Sequence, residues 1–286
     1  MRLPLVLAAM AMMLAAAPIA AQEVTVEQVA FPSRDGETQL VGYVFKSDDA
    51  NGPAPAVVML HGRSGAYSSR AEGRYDATTL SARHKAWGRL LARRGYVALM
   101  LDDFGPLGFP QGFGRFTYDE RPEQLDEVAR RPLHAYGALR YLRTRADVDG
   151  ARVALLGWSN GGSATLAAMA DDKPGDMQAI GFRTGVALYP GCGLKGRFDR
   201  SGYVPYNPVR VFMGSADAEV SPTLCQRFVR RSRNRGGDIE IRMFEGAEHS
   251  YDTPIRSRQS VPANAAAKAA TEAEILSWLD AKLKGE

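Results

Sequence analysis

The chain is poor in the residues that carry metal and thiol chemistry: its 286 residues include only two cysteines and four histidines. It has no H-E-x-x-H pair of the kind that binds catalytic zinc, and no G-x-x-x-x-G-K-[ST] loop to cradle a nucleotide phosphate. Neither a metal nor a cofactor is implied. No Pro/Gly/Ser-rich linker divides the middle of the chain, and it has no internal repeat or low-complexity tract. A single domain over residues 22–286 is therefore expected, a length that α/β folds often reach undivided.

Charge of one sign is also lacking. Lys and Arg total 36 against 32 Asp and Glu, a formal net charge of +4. The densest basic run, "RFVRRSRNRGG", has no neighbouring aromatic ladder and reads as the solvated face of a helix ending at Gly236, so nucleic acid is not an expected partner. A long apolar run occurs at the start, in "MRLPLVLAAMAMMLAAAPIAAQE". Arg2, the apolar stretch and the small residues ending at Ala20 and Ala21 read as a secretory signal peptide cleaved near Ala21. The competing reading is a membrane anchor, but no cluster of positive charge follows the run to hold one in place. Export makes the two cysteines interpretable, because an oxidising compartment permits disulfides. Cys192 and Cys225 are either one disulfide or two buried thiols, and pairing is the expectation tested below.

What the chain does have is alternation of strand and helix patterns. "TQLVGYVFKS" alternates like a half-buried strand, whereas "APAVVMLHG" and "YVALMLDDFG" are short continuous apolar runs of the fully buried kind. Between them "TLSARHKAWGRLLARRG" has helical spacing and stops at Gly95. "RPEQLDEVARRPLHAYGALRYLRTR" reads as a helix broken or kinked at Pro132. The strand "RVALLGWS" leads into the helix "NGGSATLAAMA", and the strands "TGVALYPG", "VRVFMGSAD" and "IEIRMFEGA" follow. "PTLCQRFVRRSRN" and "AAKAATEAEILSWLDAKL" complete the helices. Such alternation predicts an α/β fold with a mostly parallel sheet and helices on both faces, its ligand site beyond the carboxyl ends of the strands.

The segment "LGWSNGGSAT" places Ser159 between Gly157 and Gly161, where a buried strand meets a helix. That is the sequence of a nucleophile elbow: glycines allow the sharp reversal that projects the hydroxyl above the sheet. A serine hydroxyl needs a base. His84 and His134 fall within helix patterns and read as surface or helix-packing residues, while His249 follows the last strand in "FEGAEHSYD". Asp217, in "VFMGSADAEV", follows the penultimate strand and suits the acceptor that orients the imidazole. The order Ser159, Asp217, His249 is the α/β-hydrolase order. "MLHGRSGAY" supplies an oxyanion loop, with the backbone N–H groups of Arg63 and Asn160 as donors and His61 as a structural residue.

"HGRSG", "LDDFGPLG", "GWSNGG", "YPGCG", "GSAD" and "GAEHSYD", in that order across nearly the whole mature chain, resemble the dienelactone hydrolase family within the α/β-hydrolase fold. The resemblance implies an unlidded hydrolase of small esters or lactones. One departure stands out: the family's founding enzymes carry a cysteine nucleophile, whereas this chain has Ser159, which moves the expected activity toward carboxylesterase chemistry. Arg63 and Tyr67, in the oxyanion loop, are candidates for recognising a substrate carboxylate or carbonyl, or else a solvated arginine and a packing tyrosine. Asp103 and Phe104 are candidates for the pocket floor, although Gly105-Pro106 signals a turn. Trp158 reads as a packing residue before a substrate platform. The expected function is an exported serine hydrolase of small-molecule esters or lactones. A peptidase or amidase with the same triad and an inactive hydrolase-like binding protein are the alternatives.

Overall fold

The computed structural model describes residues 23–48, 52–117 and 121–285; the leader expected over residues 1–21 lies outside them. Eight strands form one sheet: β1 (Val24–Pro32), β2 (Gln39–Ser47), β3 (Ala54–Leu60), β4 (Val97–Asp102), β5 (Val148–Trp158), β6 (Thr184–Leu188), β7 (Val209–Gly214) and β8 (Ile239–Phe244). Their spatial order is β1-β2-β4-β3-β5-β6-β7-β8. β1 and β2 pair antiparallel with each other and β2 pairs antiparallel with β4, while every pairing from β4 to β8 is parallel.

The apolar runs explain the centre of this sheet. Residues 56–60 of β3 and all of β4 are buried, as strands covered on both faces must be. β2 departs from the half-buried expectation: Gly42 to Phe45 are consecutively buried. Its position between β1 and β4, with a helix packed on it, covers the face that alternation would have left to water. β1 was not anticipated. It is the edge strand, mostly exposed or half-exposed, and its pattern is too polar to announce itself.

Helix α1 (Ala82–Arg93) joins β3 to β4, and α2 (Arg131–Leu142) leads from β4 towards β5. These two crossovers run in opposite directions along the sheet, and because such crossovers are right-handed they place their helices on opposite faces. α3 (Asn160–Met169) packs beside α2. The short α4 (Met177–Ile180), then α5 (Pro222–Arg233), the short α6 (Arg256–Gln259) and α7 (Pro262–Leu279) follow. No helix among the described residues is long and apolar enough to cross a membrane.

The long helix expected around Pro132 is shorter than its pattern. A single 3-10 turn covers Glu123–Leu125, and α2 itself begins at Arg131. Pro132 starts the helix instead of kinking it, because a residue in the first turn needs no N–H donor. The intervening backbone is held locally: Asp126 Oδ1 accepts from the N–H groups of Val128 (2.8 Å) and Ala129 (2.7 Å). α5 carries the basic run on its exposed side and buries Cys225, Phe228 and Val229. Cys225 is bonded to Cys192, so the expected disulfide is present. It ties α5 to the loop that follows β6.

Candidate active site

Ser159, Asp217 and His249 come from three loops at one edge of the sheet, after β5, β7 and β8. Parallel strands direct all their carboxyl ends the same way, so residues 90 positions apart in sequence meet there. Ser159 has φ 53° and ψ −114°, a left-handed conformation strained for any residue with a Cβ. The flanking glycines permit it. A Cβ at Gly157 would stand 2.1 Å from the carbonyl oxygen of Gly161, and one at Gly161 would stand 2.2 Å from that of Leu60. The backbones of the elbow and of β3 thus pack with no room for a side chain between them.

The three side chains form a hydrogen-bonded chain. His249 Nε2 lies 3.0 Å from Ser159 Oγ, and His249 Nδ1 lies 2.7 Å from Asp217 Oδ2. The other carboxylate oxygen, Oδ1, accepts from the N–H groups of Glu219 (2.8 Å) and Val220 (3.0 Å). Both Asp217 oxygens are therefore committed, which fixes the plane of the carboxylate and with it the imidazole. All three residues are buried, yet Ser159 and His249 line an open cavity of about 420 Å³. This arrangement can pass a proton from the hydroxyl to the imidazole and hold the resulting imidazolium beside an anion.

The loop after β3 lies against the elbow. A Cβ at Gly62 would sit 3.3 Å from the Trp158 carbonyl oxygen and 3.5 Å from Ser159 Cβ, so the Arg63 amide follows immediately beside the serine. Asn160 is the first residue of α3, where a backbone N–H has no intrahelical acceptor. Arg63 and Tyr67 both line the cavity. The Arg63 guanidinium is not simply solvated: it donates to Glu219 at 3.2 to 3.4 Å and to the Phe113 carbonyl at 3.0 Å. Glu219 is also paired with Arg115 at 3.1 Å and brings Oε2 within 3.8 Å of His249 Nε2. Tyr67 donates to Asp102 Oδ2 at 2.8 Å, and burial raises both the phenol and that carboxyl above their usual ranges.

The two candidates for the pocket floor, Asp103 and Phe104, are corrected, and Trp158 takes its packing reading. Asp103, Phe104 and Trp158 are fully buried, and none is among the residues lining the cavity. Phe104 is sealed by Phe113 on one side and by the His61 ring, 4.4 Å away between centroids, on another. Trp158 is the packing residue: its Nε1–H donates to Asp252 Oδ2 at 2.9 Å. Asp103 is bound by the Arg131 guanidinium at 2.8 and 3.1 Å. Burial alone would raise the Asp103 carboxyl, but Arg131, with His134 and His61, brings it well below the usual carboxylate range.

The remaining histidines are all internal. His134 and His61 face Asp103 at 3.1 and 2.9 Å. His84 packs from α1 with Nδ1 2.8 Å from the Ala66 carbonyl, which accepts its N–H, and also forms part of the cavity wall. Burial, with Arg83 beside it, pushes its pKa down to about 3, so the ring is neutral. Sequence reasoning passed over Glu219, Arg131 and Asp252. Asp252 accepts from Trp87, Trp158 and Tyr189, and the Tyr189 ring packs 4.7 Å from His249. No spacing signal marks these residues, because their partners are distant in the chain.

An eight-stranded, mostly parallel sheet that gathers a strained serine, a histidine and an aspartate at its carboxyl edge defines an α/β-hydrolase. Within that class the chain belongs to the dienelactone hydrolase family, whose sequence model matches residues 40–283. Among curated proteins it is similar to a Bradyrhizobium protein named "Probable 2-oxo-3-(5-oxofuran-2-ylidene)propanoate lactonase", 27% identical over 174 residues, or 58% of this chain and 66% of that one. Among solved structures it resembles a dienelactone hydrolase-like promiscuous phosphotriesterase from metagenomic libraries (TM-score 0.66, 20% identity, 91% of this chain and 98% of that one). It also resembles brefeldin A esterase, a bacterial homologue of human hormone-sensitive lipase (TM-score 0.62, 17% identity, 96% and 81%). At these identities the structural likeness establishes the fold.

Proposed function

We propose that this hydrolase cleaves small carboxylic esters or lactones by a serine mechanism with an acyl-enzyme intermediate. The observation that carries the reading is the chain of hydrogen bonds from Ser159 through His249 to Asp217 at the floor of an open cavity. His249 takes the proton of Ser159 as the hydroxyl attacks the acyl carbon, and Asp217 stabilises the imidazolium. The backbone N–H groups of Arg63 and Asn160 receive the oxyanion. His249 then returns the proton to the leaving alcohol. Water, activated by the same imidazole, hydrolyses the acyl-enzyme.

Ester and lactone substrates are favoured over peptides by the family and by the lactonase name of the curated relative. The cavity wall supplies hydroxyls from Ser68, Ser81 and Thr253 together with Arg63, Arg83 and Glu219, the arginines being paired with Glu219 and Asp252, which suits a compact polar substrate. Export to an oxidising compartment belongs to the same proposal, supported by the apolar leader and by the Cys192–Cys225 disulfide.

The test is a panel of p-nitrophenyl esters, lactones and peptide amides, run with fluorophosphonate labelling of the wild type and of Ser159→Ala. Ester or lactone turnover together with labelling that Ser159→Ala abolishes is the expected result. Turnover of amides alone, or labelling that persists in Ser159→Ala, overturns it. For export, the N-terminal mass of the protein recovered from a secreting host should correspond to cleavage near Ala21.

A further inference from the structure

One buried cation bridges the two segments that carry the proposed oxyanion donors. Arg131 is fully buried at the start of α2. Its Nη1 donates to Asn160 Oδ1 at 2.6 Å and its Nη2 to the His61 carbonyl oxygen at 3.0 Å, while Nε and Nη2 both bind Asp103. Asn160 supplies one proposed oxyanion N–H, and His61 begins the loop whose Arg63 supplies the other. The guanidinium therefore spans from the β5 elbow to the β3 loop, two segments whose backbones also pack closely.

The rest of the cluster holds Arg131 still. Asp103 neutralises it, His61 and His134 flank that carboxylate at 2.9 and 3.1 Å, and the Phe104 ring lies 4.9 Å beneath the guanidinium carbon. The Asn160 side chain meets Arg131 through Oδ1, so the acceptor that Arg131 uses belongs to the residue whose backbone N–H is a proposed oxyanion donor.

We propose that Arg131 is a positioning residue for the reaction, fixing the spacing of the Arg63 and Asn160 backbone amides through Asn160 Oδ1 and the His61 carbonyl. The proposal rests on the serine-hydrolase reading above. Lysine cannot replace it, because one ammonium cannot serve Asp103 in a fork and two further acceptors at fixed angles.

The experiment compares wild type, Asn160→Ala and Arg131→Lys on the best ester of the panel. It also measures the inhibition constant of a trifluoromethyl ketone, whose adduct carries the oxyanion. Asn160→Ala retains the backbone N–H and removes only the acceptor. It should lower kcat about tenfold with KM little changed and weaken the ketone by a similar factor, since only transition-state stabilisation is lost. Arg131→Lys should match Asn160→Ala or exceed it.

Wild-type kcat and ketone affinity in folded Asn160→Ala would overturn the proposal. Should one variant fail to fold, the other decides by the same readouts. Failure of the serine reading looks different, because the wild type itself would then lack ester turnover and Ser159 labelling, and the two ideas would fall together.

Discussion

Among the described residues, two histidines present Nδ1 to a buried aspartate, and the two pairs are close to interchangeable on paper. His249 Nδ1 lies 2.7 Å from Asp217, and His134 Nδ1 lies 3.1 Å from Asp103; all four residues are buried. What differs is the other neighbour. The far nitrogen of His249 meets a serine hydroxyl at the wall of a cavity, whereas the carboxylate of the other pair faces Arg131. A histidine changes its charge at little cost, but a guanidinium is a permanent cation. The first pair can therefore cycle a proton, and the second is a fixed charge balance that organises the backbone around it. A His–Asp contact does not define a catalytic site; the third partner does.

The largest expected effect separates the pairs by activity. Ser159→Ala and His249→Ala should each lower kcat by about 10⁶-fold, and Asp217→Asn by about 10⁴-fold, with the fold retained by circular dichroism. His134→Asn, which keeps a donor towards Asp103, should change kcat/KM by less than about tenfold. If His134→Asn were as damaging as His249→Ala in a folded protein, the comparison would be broken and the base misassigned.

Stability should divide them the other way. Asp103→Asn leaves the Arg131 charge buried without its counter-ion, and breaking such a pair typically costs about 3–5 kcal/mol. Asp217→Asn leaves only a histidine that can remain neutral, and should cost about 1 kcal/mol. Urea unfolding of the two variants measures this directly, and equal losses would show that Arg131 does not depend on Asp103.

A smaller effect, in pH, brings in a third histidine. His84 has its pKa depressed to about 3 by burial and Arg83, against about 6.5 for an unfolded histidine. Below pH 6.5 the unfolded chain binds a proton that the folded chain refuses until about pH 3, so this contribution is full above 6.5 and is lost on acidification. The melting temperature should fall between pH 6.5 and 4.5, and His84→Asn, which preserves a donor for the Ala66 carbonyl, should flatten that fall. Asp103, held low mainly by Arg131, acts in the same direction at lower pH, its contribution disappearing as pH falls from about 4 through its depressed value. An unchanged slope in His84→Asn would mean that His84 does not stay neutral through that range.

The elbow was legible in sequence because its requirements are local. Gly157 and Gly161 are dictated by backbone oxygens that would stand 2.1 and 2.2 Å from an added Cβ, so only glycine fits. Asp217 and His249 were legible because parallel strands bring successive strand ends to one edge. Asp103 and Phe104 were misread for the same reason: a strand end marks them, but whether a residue there faces a cavity or the interior depends on what packs over it.

By itself the sequence determined the alternation of strands and helices, the buried central strands, the serine turn and the order of the triad residues, since each is set by periodicity, glycine sterics or chain order. Tertiary structure alone decided which histidines are internal, where Pro132 starts a helix, that Cys192 reaches Cys225, and that Arg131 lies between Asp103, Asn160 and His61. These last are contacts between segments distant in the chain. Their energies depend on burial and on the direction of a few polar atoms, and neither exists until the sheet has assembled.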